Sequence, residues 1–181
     1  MDGCGEGKAM EHALRLLAVR DRSSRELEER LAGKGFSPEA AAAVVARLRE
    51  AGLVDDGRFA RQWAIQRLGS GAGGPARVRF ELARKGISRD IADRALEEAM
   101  EGRGEAQLAL LAVEGRARRR APRGHDDLRR LQHNLLRRGF SSDAALEAVL
   151  TLGRHFRGET GPQARGCRTE APFLDTPPKS G

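Results

Sequence analysis

Tyrosine is absent from this 181-residue chain, tryptophan occurs once, and there are only six phenylalanines and two cysteines. So few aromatics argue against a sheet, which favours β-branched and ring side chains, and for a core of Leu, Ala and Val between closely packed helices. Cys4 and Cys167 stand near opposite ends of the sequence, which gives neither a disulfide framework nor zinc-ligand spacing. A reduced, cytoplasmic protein is the expectation. No apolar run approaches the ~20 residues of a membrane span. The stretch from Ala13 to Val19 is broken by Arg15 and lacks a cleavage pattern, so neither a signal peptide nor a membrane partner is expected.

What is present is charge, and its placement is uneven. Residues 1–53 carry nine Lys/Arg against nine acids, and residues 54–102 nine against eight. Residues 103–138 carry ten against four, and residues 139–181 five against five. Nearly all of the net +7 therefore lies in one segment. That segment holds Arg116, Arg118, Arg119, Arg120 and Arg123, then Arg129, Arg130, Arg137 and Arg138. Arginine forks to phosphates and carboxylates better than lysine does. The composition points to nucleic acid or an acidic protein surface as partner, unless it is simply a solvated helix end.

A heptapeptide occurs three times. Leu31-Ala-Gly-Lys34-Gly35-Phe36-Ser37 is matched by Leu82-Ala-Arg-Lys85-Gly86-Ile87-Ser88 and by Leu135-Leu-Arg-Arg138-Gly139-Phe140-Ser141, with glycines 51 and 53 residues apart. Each position suits the junction of two helices. The Leu closes a buried stripe, and the Lys or Arg complements the helix dipole. The Gly takes a left-handed conformation, and the Ser caps the next helix.

Apolar spacing fills in the flanking helices. Met10, Leu14 and Leu17 mark a first helix from about residue 8 to 20. Ser23 to Glu26 reads as a capping box, with Leu27 and Leu31 inward, and Ala40, Val44 and Leu48 mark a third helix ending at Gly52. The second unit runs through Phe59, Trp63 and Leu68, then Val78 and Leu82, then Ile91, Ala95 and Leu96. The third uses Leu108, Leu111 and Ala112, then Leu128, Leu131 and Leu135, then Leu146, Val149 and Leu150. Without sustained period-two alternation, no strand is expected. The predicted fold is all-α: three tandem three-helix repeats in an elongated chain that can curve. The repeats span residues 8–53, 54–102 and 103–152, between a disordered start at 1–7 and a disordered tail at 153–181. Units of about fifty residues are marginal alone, and stacking would supply the missing burial.

Apparent catalytic motifs have simpler explanations. Gly69-Ser-Gly-Ala-Gly-Gly74 spells a dinucleotide fingerprint, but a helix precedes it where a strand is required, so it reads as a flexible turn. Asp55-Asp56 and Asp126-Asp127 stand where helices should begin and act as caps. His12, His125, His133 and His155 lack ligand spacing. Neither an enzyme nor a cofactor or metal is expected.

The segment Gly52-Leu-Val-Asp55-Asp56-Gly-Arg58-Phe59-Ala60, with Trp63 and Arg67 after it, resembles the signature of the bacterial recombination regulator family RecX. Support comes from Leu14 to Leu17 leading into the Arg20–Leu27 run, from the Lys34-Gly35-Phe36 and Gly74-Pro75 to Ile87 stretches, and from Arg138 to Ser141. The resemblance covers residues 10–151 or so, and the order of motifs is more specific than any one of them. It implies tandem three-helix repeats and binding to RecA in the groove of its DNA filament. Such binding inhibits strand exchange, ATP hydrolysis and coprotease activity, within DNA repair and the SOS response. Asp55, Asp56, Arg58, Phe59 and Trp63 carry the motif, with Phe59 and Trp63 read as core residues joining units one and two. Candidate contacts to RecA or DNA are Arg77, Arg84, Lys85, Arg116, Arg118, Arg119, Arg120, Arg129, Arg130, Arg137 and Arg138. DNA, single- or double-stranded, would be held weakly through the basic third repeat, by a monomer. The alternatives are a helix-turn-helix-type DNA-binding protein acting without RecA, and a helical scaffold for another protein.

Overall fold

The structure, a computed structural model, describes residues 3–122 and 124–156, with the backbone alone at 3, 4 and 116. Among the described residues there are nine helices and no strand. The first unit comprises α1 (Gly3–Val19), α2 (Ser24–Ala32) and α3 (Pro38–Glu50). The second comprises α4 (Asp56–Gly69), α5 (Pro75–Arg84) and α6 (Arg89–Met100). The third comprises α7 (Glu105–Arg119), α8 (His125–Arg137) and α9 (Ser142–Phe156). In each unit the third helix packs on both of the others. None of these helices is long and apolar enough to cross a membrane.

The heptapeptide closes each middle helix in the same way. Gly35, Gly86 and Gly139 adopt φ of +89°, +79° and +86°. The residue after each glycine donates its N–H back to the carbonyl of the motif's leucine: Phe36 to Leu31 at 3.3 Å, Ile87 to Leu82 at 3.1 Å and Phe140 to Leu135 at 3.2 Å. This is the Schellman closure, which satisfies carbonyls that a helix end leaves free. Ser37, Ser88 and Ser141 then accept from the N–H groups of Ala40, Ile91 and Ala144, starting the third helix of each unit.

The sequence boundaries need adjustment at both ends. α1 begins at Gly3, so residues 3–7 are helical where a disordered start was expected. α9 continues to Phe156, past the expected limit at 152, and residues 157–181, the rest of the expected tail with Cys167, lie outside the described residues. Several large side chains assigned to inner faces are exposed: Leu14, Leu111, Leu146 and Leu150. Alanines take the inward positions instead, including Ala9, Ala13, Ala109, Ala145 and Ala148. Small side chains let helix axes approach closely, which displaces the bulky neighbours one position around the helix.

Burial divides the chain unevenly. Unit one has its own core around Leu27, Leu31, Val44 and Leu48. Units two and three share a single core that includes Phe59, Leu68, Val78, Leu82, Leu135 and Phe140.

Candidate functional site

The repeat motif does more than end a helix: in units two and three it is the contact between neighbouring units. At the first joint, the buried Ser23 hydroxyl donates to the Lys85 carbonyl at 2.7 Å. Lys85 Nζ lies 3.6 Å from Glu26 and also 4.4 Å above the Trp63 ring. A Cβ on Gly86 would stand 2.5 Å from Arg25 Cβ, so only glycine allows this approach. At the second joint, Gly74 N–H donates to the Arg138 carbonyl at 2.8 Å and Ala76 N–H to the Gly139 carbonyl at 3.2 Å. The end of each later middle helix thus sits on the beginning of the middle helix before it.

The glycine-rich turn is part of this seating and is not the flexible linker expected. Gly71, Gly73 and Gly74 are buried. A Cβ on Gly71 would stand 2.9 Å from Ala112 Cα, and one on Gly74 would stand 2.6 Å from the Gly139 carbonyl oxygen. The resemblance to a nucleotide-binding loop is a by-product of a place where two units touch at backbone distance.

The family-signature residues serve the same architecture. Asp55 caps α4, accepting from the N–H groups of Gly57 at 2.8 Å and Arg58 at 2.9 Å. The bond from Arg58 N–H, with a smaller contribution from Gly57, holds its carboxyl below the usual range. Asp56 accepts from Ser24 N–H at 2.8 Å, a second bond across the first joint. Arg58 faces the carbonyls of Gly52 and Leu53. Phe59 and Trp63 stack with ring centroids 6.0 Å apart, but they pack in the core of units two and three. Their expected role between units one and two passes to Lys85, which rides above both rings.

Trp63 also donates to Glu81 at 3.0 Å, and Glu81 takes further bonds from Arg67 at 2.8 Å and Arg77 at 3.2 Å. Glu26 gathers Arg20, Arg22 and Lys85. Burial alone would raise its carboxyl; the three cations, Arg20 foremost, outweigh that and hold it lowered. Sequence reasoning missed both carboxylate hubs, since the partners of Glu81 lie 14 and 18 residues away on another helix as well as on its own.

The candidate contact residues separate into two groups. Arg138 donates to the carbonyls of Gly71 at 2.9 Å and Ala112 at 3.3 Å, and with Lys85 it is occupied inside the chain. The others face solvent. Arg77 is paired with Glu81, Arg118 with Glu114 at 3.3 Å and Arg130 with Asp127 at 3.6 Å. Arg84, Arg119, Arg120, Arg129 and Arg137 are exposed without a carboxylate partner among the described residues. The Arg116 side chain and Arg123 lie outside the described residues. Four of these five candidates belong to unit three.

Comparison with known proteins decides the family. Models of the first and second three-helix domains of RecX match residues 9–48 and 55–96. The regulatory protein RecX of Mycolicibacterium vanbaalenii is 36% identical over 143 residues, covering 75% of this chain and 77% of that protein. The chain belongs to the RecX family of regulatory proteins. The RecX of Chromohalobacter salexigens is likewise 36% identical over 147 residues, covering 80% of this chain and 92% of that protein. The crystal structure of RecX from Lactobacillus salivarius superimposes with a TM-score of 0.68 at 21% identity, over 82% of this chain and 97% of that one. A second RecX crystal structure gives 0.62 at 25% identity, over 77% of this chain and 70% of that one. The two RecX domain models end at residue 96, and the α7–α9 unit repeats the same closure beyond them.

Proposed function

We propose that this protein binds RecA, lodges in the groove of the RecA–DNA filament and restrains strand exchange, ATP hydrolysis and coprotease activity. Its setting would be DNA repair and the SOS response, in the cytoplasm and as a monomer. It works by occupying a surface and not by catalysis. The reading rests on membership of the RecX family together with one structural observation. Three units are pinned end to end by the Lys/Arg-Gly junctions, leaving a set of unpaired arginines on the outside. A chain of units in fixed order can touch several subunits of a filament at once, and such contacts reinforce one another without any single strong site. The arginines supply attraction to filament acids or DNA phosphates.

The test is a titration of the pure protein into RecA turning over ATP on single-stranded DNA. Turnover should fall at or below one protein per RecA. A flat titration would remove the proposal. Sequence-selective DNA binding in the absence of RecA would favour a stand-alone DNA-binding protein instead.

A further inference from the structure

Placing the three units in register through their motif glycines exposes a pattern on the middle helices. Phe80 of α5 occupies the position of His133 of α8, and Ala83 that of Leu136. Arg77 and Arg84 correspond to Arg130 and Arg137. All eight side chains face outward, so each helix repeats the order Arg, ring, apolar, Arg on one outer stripe. In unit one the equivalent residues are Glu26, Glu29, Ala32 and Gly33, and the pattern is lost.

Phe80 is the outstanding member. It is 63% exposed, although the phenyl group gains from burial. It borders an open hollow of about 400 Å³ with Ala76, Ala83 and Arg79. On α8, His133 and Leu136 border another open hollow, of about 450 Å³, with Arg130 and Arg137. From Arg129 to Arg138 the sequence has no acid, and on α5 the single acid, Glu81, binds Trp63, Arg67 and Arg77. Arg77 and Arg130 of the stripe are thus paired, with Glu81 and Asp127, while Arg84 and Arg137 have no carboxylate partner among the described residues. The end of α8 is seated on the start of α5, through Gly74 N–H to the Arg138 carbonyl and Ala76 N–H to the Gly139 carbonyl, so the two helices that carry the pattern adjoin.

We propose that the outer stripe of α8 and α5 is a track for single-stranded nucleic acid, with bases stacking on Phe80 and His133 and phosphates meeting Arg84, Arg129 and Arg137. Charge complementarity selects a polyanion, and the rings select one whose bases are free to stack; a duplex keeps its bases paired. The proposal rests on the reading that DNA is within reach of the bound protein, and it assigns that contact to units two and three together.

The experiment is fluorescence anisotropy of a labelled oligothymidylate with the full chain, without RecA. Phe80→Ala should weaken binding roughly fivefold to a hundredfold, the range for loss of one base stack. Arg84→Glu with Arg137→Glu should weaken it further and flatten its salt dependence. Phe80→Trp should retain binding, and its added fluorescence should be quenched by oligothymidylate but not by heparin, which offers charge without bases. Phe80 is exposed, so helicity should be unchanged, which circular dichroism checks. Unaltered oligothymidylate affinity in Phe80→Ala would overturn the track. If the same variant lost only the suppression of RecA ATP turnover, the stripe would be a protein contact, and the filament reading would stand without it.

Discussion

The guanidinium of Arg138, the residue that closes α8, donates to the Gly71 carbonyl at 2.9 Å, across 67 positions of sequence, and to the Ala112 carbonyl at 3.3 Å. One charged side chain at the motif's cationic position thereby ties the α4–α5 turn of unit two to the first and second helices of unit three. Its chain neighbour Arg137 is exposed.

That contrast gives the first prediction. Arg138→Ala should lower stability by about 2 kcal/mol, because it leaves two partly buried carbonyls without their donor. Arg137→Ala should change it by less than about 0.5 kcal/mol. Urea unfolding of the two variants measures both, and equal midpoints would remove the latch.

The glycines of the repeat should differ in the same manner. Gly35, with φ of +89°, has nothing within 4 Å of the place an added methyl would take, so Gly35→Ala should cost only the left-handed strain of about 1 kcal/mol. Gly139→Ala places its Cβ 2.6 Å from Arg77 N and should cost about 3 kcal/mol or more. Gly86→Val, against Arg25, should be at least as severe. Melting temperatures that fall equally in all three would show that the glycines serve conformation alone.

The first joint should be sensitive to acid. Burial pushes the Glu26 carboxyl up, yet Arg20, Lys85 and Arg22 together hold it below its ordinary value of 4.5. A carboxyl lowered in the folded state contributes stability above its unfolded pKa and loses it as pH falls through the folded value. Stability should therefore fall below about pH 4.5, and Glu26→Gln should reduce that slope while lowering stability at neutral pH. Denaturation midpoints measured across the acid-to-neutral range test this; parallel curves for the two proteins would contradict it.

On the basic face, reversing Arg118, Arg119 and Arg120 to Glu together should weaken binding to RecA–DNA filaments by about tenfold or more at low salt, with less effect as salt rises. The side chains are exposed, and among the described residues Arg118 pairs with Glu114 four residues earlier. Helicity should be retained. Full inhibition by the folded triple variant would place the contact elsewhere.

The helical fold and its three units were legible because the Leu–Lys/Arg–Gly–apolar–Ser motif uses local physics. A left-handed glycine, a returning N–H and a serine cap involve residues within a few positions of each other. The burial of individual leucines was less legible. Leu14 and Leu150 match helical spacing as well as Ala13 and Val149 do, and only the distance between helix axes decides which turns inward. The joints between units were not legible at all. Nothing near Gly71 in sequence indicates that Ala112 will lie against it, and nothing near Lys85 reveals the Ser23 hydroxyl beneath its carbonyl. The same limit hid Phe80, whose exposure becomes meaningful only once the units are set in register.

Gly35 has a last consequence. Its counterparts in units two and three each rest on the helix start of the preceding unit, whereas Gly35 meets open space among the described residues. Among the described residues, Gly35 is thus a copy of the connector that no neighbouring unit contacts. A duplicated unit two, fused ahead of unit one with Ser23 and Ser24 style residues at its own middle-helix start, would find its plug already in place. Such a fusion should unfold in one cooperative transition if the added module docks at Gly35, which a thermal melt would measure.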